Sequence, residues 1–299
     1  MRILVTGAAG FVARHLVAEL EGGGHEVFSS DVVPSAPWMP RYAPCDLCDS
    51  GAVDSLVRGV SPDACVHLGG ISSVGDAAHD VGRLFAINVG GTANLLDAIG
   101  RHAPSARLLY VSTAQVYGCS VEADDTPVRE DAPLYPVTFY ATSRVAAEAE
   151  VRARWRYGGL DAVIARPANH TGPGQSTRFV APSFLAQARE IASGTRSEFV
   201  VGNLESERDF SDVRDVAAAY RAILERGASG ETYNASSAPR IRIGELLDEI
   251  KAKVGVDAPV RIDPALYRPT DHSLVLDTAK LRSLGWRPLR TLAQTIADM

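Results

Sequence analysis

No apolar run in this 299-residue chain approaches the roughly 20 residues that a membrane-spanning helix needs. The amino end has no charged leader followed by a short apolar stretch. Instead MRILVTGAAG runs straight into a strand and a glycine loop, so we expect a cytoplasmic protein. Basic residues form no stripe. There are 30 Lys and Arg against 36 Asp and Glu, a net charge of −6, which argues against nucleic acid and against electrostatic capture by a membrane. Low-complexity tracts and short repeats are missing too, which excludes a solenoid. Cysteine is sparse. Cys45-x-x-Cys48 invites a metal reading, but Cys65 and Cys119 do not form a second pair, and no His pair has suitable spacing. We therefore expect no metal, and free thiols in a reducing compartment.

What the chain does have is apolar material. Hydrophobic residues make up 46%, enough for one large core and a smaller lobe. Short β-branched runs at Ile3–Thr6, Glu26–Ser30, Ala64–Leu68, Leu108–Ser112 and Ala162–Arg166 alternate with helical patterns near 11–21, 50–59, 77–100 and 138–157. That alternation specifies an α/β fold, a Rossmann-type doubly wound parallel sheet that binds ligands at the carboxyl ends of its strands. After Pro167 the alternation loosens. A helix opened by an acidic cap over Asp212–Glu225 and a strand at Thr232–Asn234 are expected to return to the sheet. The expected division is a Rossmann domain over 1–168, rejoined by 209–235, with 169–208 and 236–299 contributing mainly to a smaller C-terminal substrate-binding lobe.

Gly7-Ala8-Ala9-Gly10-Phe11-Val12-Ala13 lies between the first strand and the first helix. Glycines there permit a tight turn and close approach of a pyrophosphate, which faces the unpaired N–H groups of the helix N-terminus. Asp31, at the end of the second strand, is placed to accept from both hydroxyls of an adenosine ribose and to repel a 2′-phosphate. That favours NAD(H) over NADP(H). Asp46-Leu47 fits an adenine contact, and Leu68-Gly69-Gly70 leaves room for the middle of the cofactor.

At these residues the chain resembles the extended short-chain dehydrogenases/reductases that act on nucleotide sugars. The likeness runs through TGAAGFVARHL, INVGGTANLLDA, LLYVSTAQVYG and YATSRVAAEAE. It continues through RPANHTGPGQ, GNLESERDFSDVRDVAAAY and RPTDHSLVLDTAKLRSLGW. The last three strings are most similar to the GDP-4-keto-6-deoxymannose reductases within that family. The resemblance implies that Tyr140 donates a proton to the sugar carbonyl and that Thr113 hydrogen-bonds the same oxygen. Arg144 stands where such enzymes carry lysine, keeping the charge in a bulkier planar fork. Asn88 would support the cofactor site, and Pro167 would border it. Asn169, Arg178, Arg208 and Arg268 would hold the nucleotide diphosphate, Val180 would also bind the substrate, and a homodimer is implied.

Related dehydratases resemble Thr-Asp-Glu at positions 113–115. Neutral Ala114 and Gln115 cannot supply that acid–base pair, so dehydration is disfavoured. The expected reaction is NAD(P)H-dependent reduction of the C4 keto group of a nucleoside-diphosphate 4-keto-6-deoxyhexose, with a GDP-sugar favoured. Two alternatives stay open. One is a 4-epimerase that retains NAD; the other is a catalytically weak sensor of cofactor or nucleotide sugar.

Overall fold

In the computed structural model, residues 1–35, 38–72, 79–118, 126–237, 240–267 and 274–299 are described. The β-branched runs form parallel strands: β1 (Arg2–Thr6), β2 (Glu26–Asp31), β3 (Ala43–Pro44), β4 (Ala64–His67), β5 (Arg107–Val111), β6 (Ala162–Pro167) and, far along the chain, β11 (Thr232–Ala235). They make one seven-stranded sheet in the order β11-β6-β5-β4-β1-β2-β3, with every pairing parallel. The order reverses beside β1, which opens a crevice at the carboxyl ends of β1 and β4.

Both faces of the sheet are covered, which is why its strands read as continuous apolar runs rather than alternating ones. Ile3 and Val5 point into one core with Leu16 and Leu20 of α1 (Phe11–Gly22) and with Val216, Tyr220 and Ile223 of α7 (Val213–Arg226). Leu4 and Leu108 point the other way. They meet α2 (Ser50–Val60), α4 (Gly91–His102) and α5 (Phe139–Gly158) through Val57, Leu95, Ile99, Ala147 and Val151. Each such aliphatic side chain contributes about 1.5–3 kcal/mol by leaving water. Asp212 caps α7 by accepting from the Arg214 N–H at 2.8 Å.

The helical pattern over 77–100 proves to be interrupted; its first two residues, 77 and 78, lie outside the described residues. Helix α3 (Val81–Phe85) runs into a π-helical turn at Ala86–Gly90 before α4 begins. The cause is local. The Thr92 hydroxyl donates to the Asn88 carbonyl at 2.6 Å, and the Asn88 side chain is drawn off to bond Ile71.

A third core lies away from the sheet. It joins α6 (Val180–Ala192) and α8 (Ile243–Val254) through Phe184, Leu185, Leu246 and Ile250, with Ile296 of α10 (Leu292–Asp298). Short two-stranded pairings edge this lobe: β7 (His170–Thr171) with β10 (Ser211–Asp212), β8 (Phe199–Val201) with β13 (Val260–Ile262), and β9 (Glu207–Asp209) with β12 (Arg240–Arg242). Leu281 of α9 (Ala279–Ser283) and Trp286 instead pack in the first core, against the sheet. The Asp215 carboxylate holds the following segment there, accepting from the Leu289 and Arg290 N–H groups at 3.0 Å each. Among the described residues, no helix is long and apolar enough to cross a membrane.

Candidate active site

A cleft of about 1200 Å³ runs along the carboxyl ends of the strands and into the lobe. Gly7, Gly10, Phe11 and Val12 line it at the start of α1, where Gly10 caps the helix with no side-chain bond. The first-turn N–H groups therefore have no side chain competing for them. Gly7 is required for two reasons. Its φ is +73°, and a Cβ there would stand 2.6 Å from the Gly69 nitrogen.

Asp31 lines one end of the cleft, where its carboxylate accepts from the Ala9 N–H at 3.0 Å and the Val32 N–H at 2.7 Å. Those bonds fix the carboxylate's direction while leaving lone pairs open. Asp46 and Leu47 line the same end, with Cys45 and Cys48 beside them. Burial pushes the Cys45 thiol up to about 11, with Asp46 and Asp49 adding to the effect, so it is a poor nucleophile there.

Leu68, Gly69 and Gly70 form the floor. Behind them His67 is fully buried between two hydroxyls, Thr6 Oγ1 at 2.7 Å from Nδ1 and Thr92 Oγ1 at 3.0 Å from Nε2. Thr92 already donates to the Asn88 carbonyl, so it accepts from Nε2–H, and Nδ1 accepts from Thr6. Burial and the Arg144 charge hold His67 neutral, down to about 3. It is a structural histidine. Asn88 also stands behind the cleft wall rather than on it. Its side chain accepts from the Ile71 N–H at 2.8 Å and donates to the Ile71 carbonyl at 3.1 Å, clamping the turn. It donates to Ser143 Oγ at 3.0 Å as well.

Thr113, Tyr140, Arg144 and Pro167 all line the middle of the cleft. Thr138 caps α5 from the Ala141 N–H, which sets Tyr140 in the first turn, pointing inward. Tyr140, Arg144 and Glu148 fall four residues apart, so one face of α5 carries all three against the sheet. Glu148 makes a bidentate pair with Arg166 of β6, at 3.0 and 2.7 Å. Among the described residues, Arg144 has no such carboxylate. Its Nη1 donates to the Tyr110 hydroxyl at 3.3 Å, its Cζ lies 5.4 Å from the Tyr140 ring centroid, and its Nε is buried without a partner. Burial opposes the charge, but Tyr140 and Tyr110 outweigh it and keep Arg144 protonated. Lys251, Lys253 and Lys280 are the only lysines among the 30 basic residues, so arginine at 144 follows the composition of the whole chain.

In the lobe, Asn169, Arg178, Val180 and Arg208 line the far end of the cleft, whereas Arg268 lies outside the described residues. A strap at 170–175 closes over α1. His170 stacks on Phe11 with ring centroids 6.1 Å apart, and His15 donates from Nε2 to the Pro173 carbonyl at 2.9 Å. The buried orphans Ser112 Oγ, Arg144 Nε and the Tyr220 hydroxyl belong to residues that line the cleft. Unpaired buried polar atoms beside an uncapped helix start fit a polar dinucleotide. Sequence reasoning passed over Ser112, Tyr110 and Tyr220. Each sits inside a string that carries the family likeness, but nothing in local periodicity marks it.

The profile of the NAD dependent epimerase/dehydratase family matches residues 3–236. This chain belongs to that family. It is 35% identical over 298 residues to the GDP-6-deoxy-D-mannose reductase of Pseudomonas aeruginosa, covering 99% of this chain and 94% of that one. Among solved structures it is similar to RMD from Pseudomonas aeruginosa in complex with NADPH, with a TM-score of 0.86 and 32% identity over 99% and 96% of the two chains. It is also similar to a Thermus thermophilus UDP-glucose 4-epimerase in complex with NAD, with a TM-score of 0.88 and 28% identity over 100% and 97%. The seven-stranded sheet is thus the nucleotide-binding sheet of an NAD(P)-dependent family, and the cleft at its strand ends is the candidate active site.

Proposed function

We propose that the protein reduces the C4 keto group of a nucleoside-diphosphate 4-keto-6-deoxyhexose, with a GDP-sugar as favoured substrate and NADH as favoured cofactor. The observation that carries this reading is likeness along nearly the whole of both chains to a reductase of that substrate class. The neutral pair Ala114–Gln115 beside Thr113 supports it, because neither side chain can remove a proton as a carboxylate would.

Gly7, Gly10, Phe11 and Val12 would hold the pyrophosphate of the cofactor, Asp31 its adenosine ribose, Asp46 and Leu47 its adenine, and Arg144 and Pro167 its nicotinamide half. The bound nicotinamide supplies a hydride to C4. Tyr140 gives its phenolic proton to the carbonyl oxygen, and Thr113 orients that oxygen by a hydrogen bond. Arg144, a charge with no carboxylate partner among the described residues, stabilises the phenolate that remains and reaches ribose hydroxyls. Asn169, Arg178, Arg208 and Arg268 hold the nucleotide diphosphate, guanidinium forks being suited to phosphate oxygens, and Val180 borders the substrate. The outer faces of α3–α4 and α5 are the surfaces we assign to a homodimer, on family resemblance.

A second reading, 4-epimerisation with retained NAD, is favoured by the likeness to the epimerase solved with NAD. One experiment separates them. Supplied with GDP-4-keto-6-deoxymannose and NADH, a reductase consumes one NADH per sugar and releases a 6-deoxyhexose nucleotide. Protein that carries NAD through purification and equilibrates a nucleotide sugar with its 4-epimer, consuming no NADH, is the epimerase. Turnover of any kind removes the third possibility, a sensor without catalysis.

A further inference from the structure

Tyr220 is a tyrosine where a phenylalanine would cost less. It lies on α7, and its ring is 1% exposed in the core formed with Val111 and Ala165 at the ends of β5 and β6. The other fully buried phenols of the first two cores and the loop beside them are satisfied. Tyr110 bonds Arg144, Tyr117 bonds Asn234 and Arg166, and Tyr233 accepts from the Ala228 N–H. The Tyr220 hydroxyl is buried and has no partner among the described residues. A hydroxyl shut away from water without a hydrogen bond is a net loss that the same ring without oxygen avoids.

Its position explains what the oxygen is for. Tyr220 lines the cleft although it belongs to the core, alongside Val111, Ser112 and Pro167. Its hydroxyl is close enough to Tyr140 and Arg144 for both to act on it electrostatically. Burial pushes this phenol far up from its ordinary range, so it stays neutral and serves as a hydrogen-bonding group, not an acid. With adenosine at Asp31 and the pyrophosphate at the start of α1, the Tyr140 end of the cleft receives the nicotinamide. A nicotinamide ring brings one polar group, a carboxamide with a carbonyl acceptor and an amide donor.

We propose that the Tyr220 hydroxyl hydrogen-bonds the nicotinamide carboxamide from beneath the ends of β5 and β6, and so fixes which way the ring lies. Tyr220 is then a cofactor-positioning residue. It acts beside Tyr140 rather than in place of it. The inference rests on the cofactor placement given above but not on the identity of the sugar.

The test compares two ligands on Tyr220→Phe, which keeps the ring and deletes only the oxygen. NADH and ADP-ribose, which stops short of the nicotinamide, are titrated by calorimetry against both proteins. NADH should bind roughly 3- to 10-fold more weakly to the variant, the loss of one neutral hydrogen bond, while ADP-ribose binding stays the same. The fluorescence of bound NADH, which reports the nicotinamide environment, should change as well. Unaltered NADH affinity overturns the proposal. So does an equal loss for both ligands, which would place the oxygen's effect elsewhere in the cleft. A rise only in the KM of the sugar nucleotide would give the hydroxyl to the sugar and also overturn it. None of the binding outcomes needs turnover: a reductase assay that fails while NADH alone is weakened would sink the functional reading and leave this one standing.

Discussion

Arg144 hangs from Tyr110: a guanidinium on α5 donates to a phenol on β5 at 3.3 Å, and among the described residues no carboxylate is bonded to either group. A Cβ at Gly70 would stand 2.7 Å from Asn88 Oδ1 and 3.0 Å from the same guanidinium, so the lack of a side chain there makes room for both, while the φ of +145° also favours glycine. Tyr110 thus does for the fork what an ion pair would do elsewhere, without neutralising it. Tyr110→Phe should weaken NADH binding and turnover by about 3- to 10-fold by freeing the guanidinium. Arg144→Lys should retain activity or raise it, while Arg144→Met should lose about 10- to 100-fold in turnover and bind cofactor more weakly. Equal kinetics for all four proteins would put position 144 outside the site.

Tyr140→Phe should cut turnover by roughly 10²–10⁴-fold, the usual range for losing a positioned proton donor. Cofactor affinity should change far less, because the ring remains. Thr113→Ala should act in the same direction but more weakly. Steady-state kinetics with a verified 4-keto sugar decide the matter, and full activity in Tyr140→Phe would be fatal to the assignment.

Asp31 holds its carboxylate by backbone N–H bonds from two sides, so it cannot turn away freely from a bound ribose. A 2′-phosphate near it would suffer repulsion of about 1–4 kcal/mol, depending on how much water remains. NADH should therefore bind at least about 10-fold more tightly than NADPH, and Asp31→Ser should narrow the gap. The similar reductase was solved with NADPH, which makes this a discriminating titration. Tighter binding of NADPH by the unmutated protein would refute it.

Glu148 and Arg166 are 1% exposed each and bonded twice to one another, and Arg166 also donates to the Tyr117 hydroxyl at 2.9 Å. The pair fastens α5 to β6 one turn beyond Arg144. Glu148→Ala would leave a buried guanidinium unpaired and should cost about 3–5 kcal/mol in urea unfolding. Replacing both with apolar residues of similar volume should recover most of that loss. If the single variant is as stable as the parent, the pair holds nothing in place.

Burial raises Asp209 from 3.8 to about 6, although Ser236 and Ser211 hydroxyls bond its carboxylate. The folded state therefore favours the protonated acid. That contribution is complete below pH 3.8 and is lost as pH rises through 6. His67 acts with the opposite sign, since the folded state resists its protonation between about 6.5 and 3. Asp209→Asn isolates the first effect. Relative to the parent it should gain up to about 3 kcal/mol above pH 7, with the gain vanishing near pH 4. Urea unfolding at both pH values measures it, and a gain independent of pH would show that Asp209 is already ionised without penalty.

The sheet and the glycine turn that lines one end of the cleft were readable from local sequence. Short β-branched runs between amphipathic segments admit few other arrangements, and Gly7 through Val12 needs only its place between strand and helix to declare a tight glycine turn. Asp212 likewise announces α7 through its own backbone bond. Such features depend on neighbours a few residues apart. What depended on tertiary structure was every polar contact between distant segments. Arg144 finds Tyr110 across 34 residues, and Glu148 finds Arg166 across 18. Tyr220 of α7 comes to line the same cleft as Gly7 and Tyr140, far from both in the chain. The π turn at Ala86–Gly90 belongs with these, since Asn88 leaves the regular helix to bond Ile71. Helical periodicity records that a side chain faces inward. It does not record which buried group waits there, and in a low-dielectric interior that partner decides whether a tyrosine is filler, anchor or acid.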